Sequence, residues 1–170
     1  MKPKDLQLTS DSIRRLSDWS DSRRRRYRLG RFWGSGSIAC VIGLNPSRAD
    51  DKHDDPTNRR LISLLTGLGF DGYWLVNLIP ESTPYPNNLG SAPRRLSAIN
   101  RQLIQSSVSD ADQTILAWGH GGWRCPFRRQ VTASIQTPTC FGLTKDGEPR
   151  HPLYIPKNSN LQLFPGYQLS

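Results

Sequence analysis

The chain has 170 residues, a length that suits one globular domain. Its formal net charge at pH 7 is +9, and 18 of its 23 basic residues are arginine. Because arginine binds phosphate in bidentate fashion, this balance favours a nucleic acid or a nucleotide as partner, against the alternative that the charge only keeps the protein soluble. The apolar runs are far shorter than the roughly 20 residues of a membrane span, and residues 1–10 lack a signal peptide, so we expect a cytoplasmic protein without a membrane partner.

The sequence pattern divides the chain into two parts. Residues 1–26 read as a polar tail with a short helix, in which Ser10 or Asp11 caps a turn pattern carrying Ile13, Leu16 and Trp19. Residues 27–170 read as a single α/β domain. Its strands are predicted where apolar residues run unbroken or alternate with polar ones, at residues 27–33, 38–44, 73–79, 113–118, 137–143 and 161–164.

Predicted helices separate these strands. Pro56, preceded by Asp55, opens the first helix, whose inward face has the spacing i, i+3, i+4, i+7. That face consists of Leu61, Leu64, Leu65 and Leu68. A second helix is predicted from residues 91–93, after a proline-rich loop, with Leu96, Ile99, Leu103 and Ile104 inward. A third is predicted over about residues 123–134.

Strands that alternate with helices predict a three-layer α/β/α fold with a mostly parallel sheet of about four strands. Residues 27–33 are expected to add an antiparallel edge strand. In such sheets ligands bind beyond the carboxyl ends of the strands. The residues at those ends are therefore the candidates for function.

Polar side chains stand at several predicted strand ends. Asn45 precedes Pro46, and its amide could orient a water or a ligand, or could end the strand in a turn. Asn77 lies in a buried run, so its amide needs either a ligand edge or a backbone partner. His151 can donate to a developing anion near neutral pH, whereas His120 in a glycine-rich segment fits a tight turn.

Charged clusters give two further candidates. An acidic cluster follows Asn45, and it consists of Asp50, Asp51, Asp54 and Asp55 together with His53. Such a cluster could bind magnesium, or its carboxylates could cap the following helix and stabilise its N-terminus. The candidates for phosphate contacts are Arg23, Arg24, Arg25, Arg26, Arg28 and Arg150. The three cysteines contain no CxxC pair, so no metal and no cofactor is assigned, and Cys40 and Cys140 are expected in the core.

Several of these segments resemble a bacterial and phage family that is catalogued as a domain of unknown function. The matching segments are residues 44–50, 54–57, 76–78, 117–119 and 142–154, and the resemblance spans about residues 27–164. The family implies no activity.

More remotely, the chain is similar to the uracil-DNA glycosylase superfamily. The similarity rests on Gly-Leu-Asn-Pro-Ser at residues 43–47, on Asn77 at a strand end, and on His-Pro-Leu-Tyr at residues 151–154. It implies that Asn45 positions the hydrolytic water, Asn77 reads the base and His151 stabilises the departing base. The same resemblance makes Pro46, Ser47, Leu153 and Tyr154 candidate substrate contacts, although Leu153 stands where glycosylases have a serine.

Three functions remain open on this basis. The first is a nucleobase-processing or nucleobase-recognising protein, in particular an N-glycosidase acting on a base in nucleic acid or nucleotide. The second is a non-catalytic nucleic-acid-binding module. The third is a metal-dependent phosphoesterase that uses the acidic cluster.

Overall fold

A computed structural model describes residues 12–82 and 96–167, in which three helices pack against one seven-stranded sheet. The strands are β1 (Arg14–Trp19), β2 (Arg26–Phe32), β3 (Ile38–Gly43), β4 (Gly72–Asn77), β5 (Gln113–Leu116), β6 (Thr139–Cys140) and β7 (Gln162–Leu163). The helices are α1 (Pro56–Gly67), α2 (Ala98–Ser109) and α3 (Arg128–Ala133). Within these described ranges, no helix has the length and apolar character needed to cross a membrane.

The sheet is mixed, with the strand order β1-β2-β4-β3-β5-β6-β7. The pairs β4–β3, β3–β5 and β5–β6 are parallel, and the pairs β1–β2, β2–β4 and β6–β7 are antiparallel. The prediction of a mostly parallel, uracil-DNA-glycosylase-like sheet of about four strands is therefore wrong. The alternation of strands and helices could not reveal the mixed sheet. The antiparallel pairings are made by β1, β2 and β7, which lie outside that alternation.

The N-terminal helix predicted around Ile13, Leu16 and Trp19 is also wrong, because residues 14–19 form β1. Their spacing of three fits a helix, but the backbone of β1 pairs antiparallel with β2. Ser20 N donates to Arg25 O at 2.9 Å and closes the turn between the two strands. As a result β2, predicted as an edge strand, lies inside the sheet between β1 and β4. The proposed caps Ser10 and Asp11 lie outside the described residues.

Helix α1 begins and packs as predicted. Asp55 is its N-cap and accepts a hydrogen bond from Asn58 N at 2.8 Å, and Pro56 occupies the first turn, where its missing N–H costs nothing. Leu61, Leu64 and Leu65 are buried. The predicted inward face of α1 is therefore confirmed for these three leucines.

The two later helices differ from their predictions. Helix α2 begins at Ala98, with Ile104 buried but Ile99 exposed, and the start predicted at residues 91–93 lies outside the described residues. The predicted third helix is interrupted, because a 3₁₀ helix at His120–Arg124 precedes α3. Backbone turns span this break, and Cys125 N and Arg128 N donate hydrogen bonds within them.

The sheet separates two apolar cores. On one face Cys40, Ile42 and Val76 pack with Ile104 of α2 and Val131 of α3. On the other face Ala39, Val41 and Leu75 pack with Leu61 and Leu65 of α1. All three cysteines are buried and free. Because side chains alternate along a strand, Gly43 and Asn77 at the ends of β3 and β4 belong to the α1 face.

A buried arginine holds the loop that joins β3 to α1. The Arg31 side chain is 0% exposed, and its Nε donates to Asp54 Oδ1 at 2.6 Å. Its other nitrogens donate to the carbonyl oxygens of Gly30, Asp50 and His53. Arg15 adds a second ion pair to Asp54 at 3.0 Å. Burial alone would raise the pKa of Asp54, but the hydrogen bonds from Arg31 and Arg15 outweigh it and hold the pKa below its usual value.

This arrangement predicts a large stability loss in Asp54→Asn. Removing one partner of a buried ion pair leaves the other charge uncompensated, and we expect a loss of about 3 kcal/mol in the free energy of unfolding, measured by urea denaturation at pH 7. Asp51→Asn is the control, since the Asp51 side chain is exposed and its change should stay within about 0.5 kcal/mol.

The same variant carries a pH signature. Since the folded pKa of Asp54 is depressed, its contribution is complete above the unfolded value of about 3.9 and is lost as the pH falls through the folded value. The difference between wild type and Asp54→Asn should therefore shrink on acidification below about pH 4. A difference that stays constant down to pH 2 would contradict the assignment.

Candidate functional site

A cavity of about 780 Å³ opens at the carboxyl ends of β3, β4 and β5, on the face that α1 covers. Asn45, Asn77 and His151 lie in its wall, although 106 positions separate the first from the last in the sequence. The volume lies within the range of small-molecule sites. The structure therefore places the three polar residues singled out in the sequence around one cavity.

Asn77 presents an unpaired amide in this wall. The residue is 2% exposed, and its Nδ2 has no hydrogen-bond partner within the described residues. Asn100 Nδ2 donates to the backbone oxygens of Asn77 (3.0 Å) and Leu78 (3.2 Å) and so fixes the strand end. A Cβ placed on Gly43 would lie only 2.8 Å from Asn77 Oδ1, so Gly43 leaves the space that the carboxamide occupies. An unpaired buried donor costs about 1–3 kcal/mol.

His151 faces the cavity as a neutral donor. Its Nδ1 accepts a hydrogen bond from Leu153 N at 3.3 Å, which leaves the ring proton on Nε2. Burial lowers the pKa of His151 below 6.5, and the charge of Asp55 opposes this only in part. Gly119, with φ of +72°, lies against this histidine, because a Cβ there would be 3.0 Å from His151 Cβ. A side chain at residue 119 would both strain the backbone and displace the imidazole.

The segment after β3 contributes unequally. Asn45 lines the cavity, and its Nδ2 donates to Pro46 O at 3.2 Å. Ser47 also lines the cavity, but its hydroxyl donates to Asp55 Oδ2. Pro46 is buried and is not among the lining residues in the described part of the chain. Of these three, Asn45 is the best placed to contact a ligand.

The arginines predicted to bind phosphate do not form one patch. Arg25 pairs with Glu81 at 3.0 Å, Arg28 pairs with Asp18 at 2.7 Å, and Arg23 lies over the Trp19 ring at 5.9 Å. Arg24 is exposed, and Arg150 is exposed and donates to Leu143 O at 2.9 Å. Of the six predicted residues, Arg26 is the one that lines the cavity within the described chain.

Three of the four aspartates of the acidic cluster make structural bonds. Asp54 holds Arg15 and Arg31, Asp55 caps α1, and Asp50 Oδ1 accepts from the backbone N–H groups of Lys52 and His53. Among residues 12–82 and 96–167, no group of three or more His, Cys, Asp or Glu side chains is placed to hold a metal ion. The capping interpretation fits the contacts of Asp55, whereas Asp54 instead holds Arg15 and Arg31.

Glu148 is a structural centre of the site that the sequence did not single out. It is 3% exposed, and its Oε2 accepts from Trp118 Nε1 and Tyr167 OH, both at 2.7 Å. Its Oε1 accepts from Arg128 Nε at 2.9 Å. Trp118 lines the cavity, so Glu148 fixes part of the wall. No local sequence pattern predicts this role, because the partners of Glu148 lie 19 to 30 positions away in the sequence.

The rim of the cavity is aromatic and partly apolar. Trp123, Leu153 and Tyr154 line the cavity and are exposed. The Arg124 guanidinium lies 5.4 Å from the Trp123 ring centre, and His120 Nδ1 lies 2.7 Å from Asp146 Oδ2. Leu153 and Tyr154, predicted substrate contacts, are thus at the mouth rather than in the interior. Trp123 and His120 extend this mouth on the opposite loop.

The His151 environment predicts a specific titration. In ¹⁵N-resolved NMR spectra, the His151 ring should titrate below pH 6.5 and carry its proton on Nε2 when neutral, because burial disfavours the charged ring and Nδ1 accepts a backbone bond. The His151→Gln variant assigns the resonance. A titration at or above pH 6.5, or a proton on Nδ1, would contradict this environment.

Comparisons with known proteins address the family of the chain. The model of a family described as a protein of unknown function, DUF1643, matches residues 26–153. No curated protein matches the chain, and no solved structure matches it. The matched range contains every strand from β2 to β6 and both Asn45 and His151. Because the match covers well over half of the sequence, the chain belongs to the DUF1643 family.

Proposed function

We propose that this protein recognises a nucleobase in the cavity and hydrolyses the N-glycosidic bond that joins the base to its sugar. The observation that carries the proposal is the unpaired Asn77 Nδ2 at 2% exposure, in the same cavity wall as the neutral His151. An amide and an Nε2–H donor on one wall suit the carbonyl-rich edge of a base such as uracil or hypoxanthine.

The reaction assigns one task to each polar residue. Asn45 positions the attacking water. The C1′–N bond breaks, a C1′–O bond forms, and the base leaves with the bonding electron pair. His151 Nε2–H stabilises the developing negative charge on the base, a donor role typically worth a factor of about 10² to 10³ in rate. The water proton ends on the departed base.

The composition of the wall supports water as the nucleophile. Among the cavity-lining residues of the described chain there is no aspartate and no glutamate. A carboxylate nucleophile of the kind used by retaining glycoside hydrolases therefore has no candidate in that wall. The same composition disfavours the phosphoesterase hypothesis, since the carboxylates of the acidic cluster are held by Arg15, Arg31 and the start of α1.

A second candidate is a nucleobase reader without turnover. It is favoured by the exposed Trp123 and Tyr154 at the cavity mouth, because aromatic rings stack on bases without sequence preference. The two candidates share the binding residues and differ in whether base is released.

Base release is the test of the first proposal. Oligonucleotides and nucleotides containing uracil, hypoxanthine, xanthine or phage-type modified bases are incubated with the protein in EDTA, and free base is measured by mass. We expect release that survives EDTA and that falls about 100-fold or more in Asn45→Ala and in His151→Ala.

Two surface variants control for this assay. Asn158→Ala and His53→Gln alter exposed residues outside the cavity wall and should keep wild-type release. Release that persists unchanged in both Asn45→Ala and His151→Ala would contradict the mechanism. Release abolished by EDTA would point to metal chemistry, and binding without release would favour the reader.

Gly43→Ala tests the position of the Asn77 amide. The added methyl group would lie 2.8 Å from Asn77 Oδ1. Because the backbone of Asn77 is fixed at the strand end, the carboxamide itself must move. We expect base affinity to fall about tenfold, the loss of one good hydrogen bond. Gly67→Ala in α1 is the control, since nothing lies within 4 Å of its added Cβ. Equal affinities in the two variants would contradict the role of Asn77.

A further inference from the structure

Two arginines of the same strand, β2, are both buried but have opposite surroundings. Arg31 is fully paired, with the Asp54 carboxylate and three backbone oxygens around it. Arg26 is 1% exposed and makes, among the residues that the structure describes, one side-chain hydrogen bond, from NH1 to Ala49 O at 2.7 Å. Within the described residues its Nε has no hydrogen-bond partner, and it forms no ion pair. Arg31 therefore stabilises the fold, whereas Arg26 has no ion-pair partner among the described residues.

Asp55, the carboxylate that acts most strongly on the Arg26 charge, does not neutralise it by direct contact. Asp55 attracts the Arg26 charge, but its Oδ1 accepts from Asn58 N and Asn58 Nδ2, and its Oδ2 accepts from Ser47. Burial lowers the pKa of Arg26 to about 10, which still leaves the group charged at neutral pH. A buried charge without a hydrogen-bonded partner is unfavourable, so an added anion at Arg26 would be strongly stabilised.

The position of Arg26 restricts the anion to the cavity. Arg26 lines the same wall as Asn77 and His151. The wall also contains Arg124 and, within the described chain, no carboxylate that an anion in the cavity would touch. By contrast, Arg25 and Arg28, which lie nearby in the sequence and outside the cavity, are already paired with carboxylates.

We infer that Arg26 binds the phosphate of a free mononucleotide whose base lies against Asn77, so that the ligand is a small phosphorylated molecule rather than a base within a strand. The inference rests on the proposed nucleobase site and adds to it a binding site for the phosphate of the same ligand. A polynucleotide backbone is usually bound by exposed cations along an open groove, whereas Arg26 is enclosed. The guanidinium fork matches two phosphate oxygens.

The stability of the ligand-free protein distinguishes the two arginines. Arg26→Met removes a charge that has no ion-pair partner, so its urea midpoint should match or exceed that of wild type. Arg31→Met removes one of the two ion-pair partners of Asp54 and breaks four hydrogen bonds, so its midpoint should fall sharply. If the midpoint of Arg26→Met falls as far as that of Arg31→Met, the assignment of Arg26 as a cation that binds an anionic ligand is overturned.

Binding is tested by isothermal titration with matched probes. These are inorganic phosphate, deoxynucleosides of uracil, hypoxanthine and the four common bases, their 5′-monophosphates, and a ten-nucleotide single strand. For the preferred base, the 5′-monophosphate should bind wild type at least tenfold more tightly than the nucleoside, and inorganic phosphate should compete. Arg26→Met should bring the ratio close to one, whereas Arg25→Met, altered at an exposed neighbour, should keep it.

The outcomes separate this inference from the function on which it rests. A nucleoside that binds wild type as tightly as its monophosphate would overturn the phosphate site and leave base recognition standing. Phosphate binding that depends on Arg26, without binding of any nucleoside or any added affinity from a base, would keep the anion site and overturn base recognition. Tighter binding of the strand than of every mononucleotide would overturn the free-nucleotide ligand. If Arg26→Met does not fold, the wild-type ratio and the phosphate competition still decide.

Discussion

The ion pair between Arg31 and Asp54 is the constraint on which the cavity depends. It fixes the loop between β3 and α1 from inside the protein, because Arg31 also binds the carbonyl oxygens of Asp50 and His53. With the loop fixed, Asp55 stands at the start of α1 and Ala49 stands beside Arg26. The acidic residues therefore serve the site indirectly, by holding the segment that contains Asn45.

A second buried carboxylate fixes the opposite wall. Glu148 accepts hydrogen bonds from Trp118, Arg128 and Tyr167, and so ties the end of β5 to α3 and to the chain near residue 167. Gly122 packs beside this group, since a Cβ there would collide with Trp118 Cδ1. Each wall of the cavity is thus anchored by a carboxylate that bonds away from the cavity. The charged groups left in the described wall are cations, and no carboxylate lies among its lining residues.

The sequence predicted those features that depend on residues close to one another along the chain. Asp55 and Pro56 start α1, and the leucines of α1 are buried, because capping and a 3.6-residue period act within a dozen residues. The strand order and β1 were missed, because they depend on pairing between distant segments. The candidate residues at strand ends could be proposed from the sequence because a polar side chain after an apolar run is a local signal. The difference between Arg26 and Arg31 was not, since it lies in partners 19 to 23 positions away.

The lack of a carboxylate among the described lining residues has a consequence for the chemistry. Without a carboxylate in the described wall, no fixed anion of those residues would touch the positive charge that develops on a sugar. A phosphate bound at Arg26 would bring negative charge into the same cavity, at a distance set by the nucleotide itself. Opposite charges attract strongly where water is excluded. The ligand would then supply the anionic group that the protein omits, and a nucleotide would be a better substrate than the corresponding nucleoside for a chemical reason as well as for its affinity.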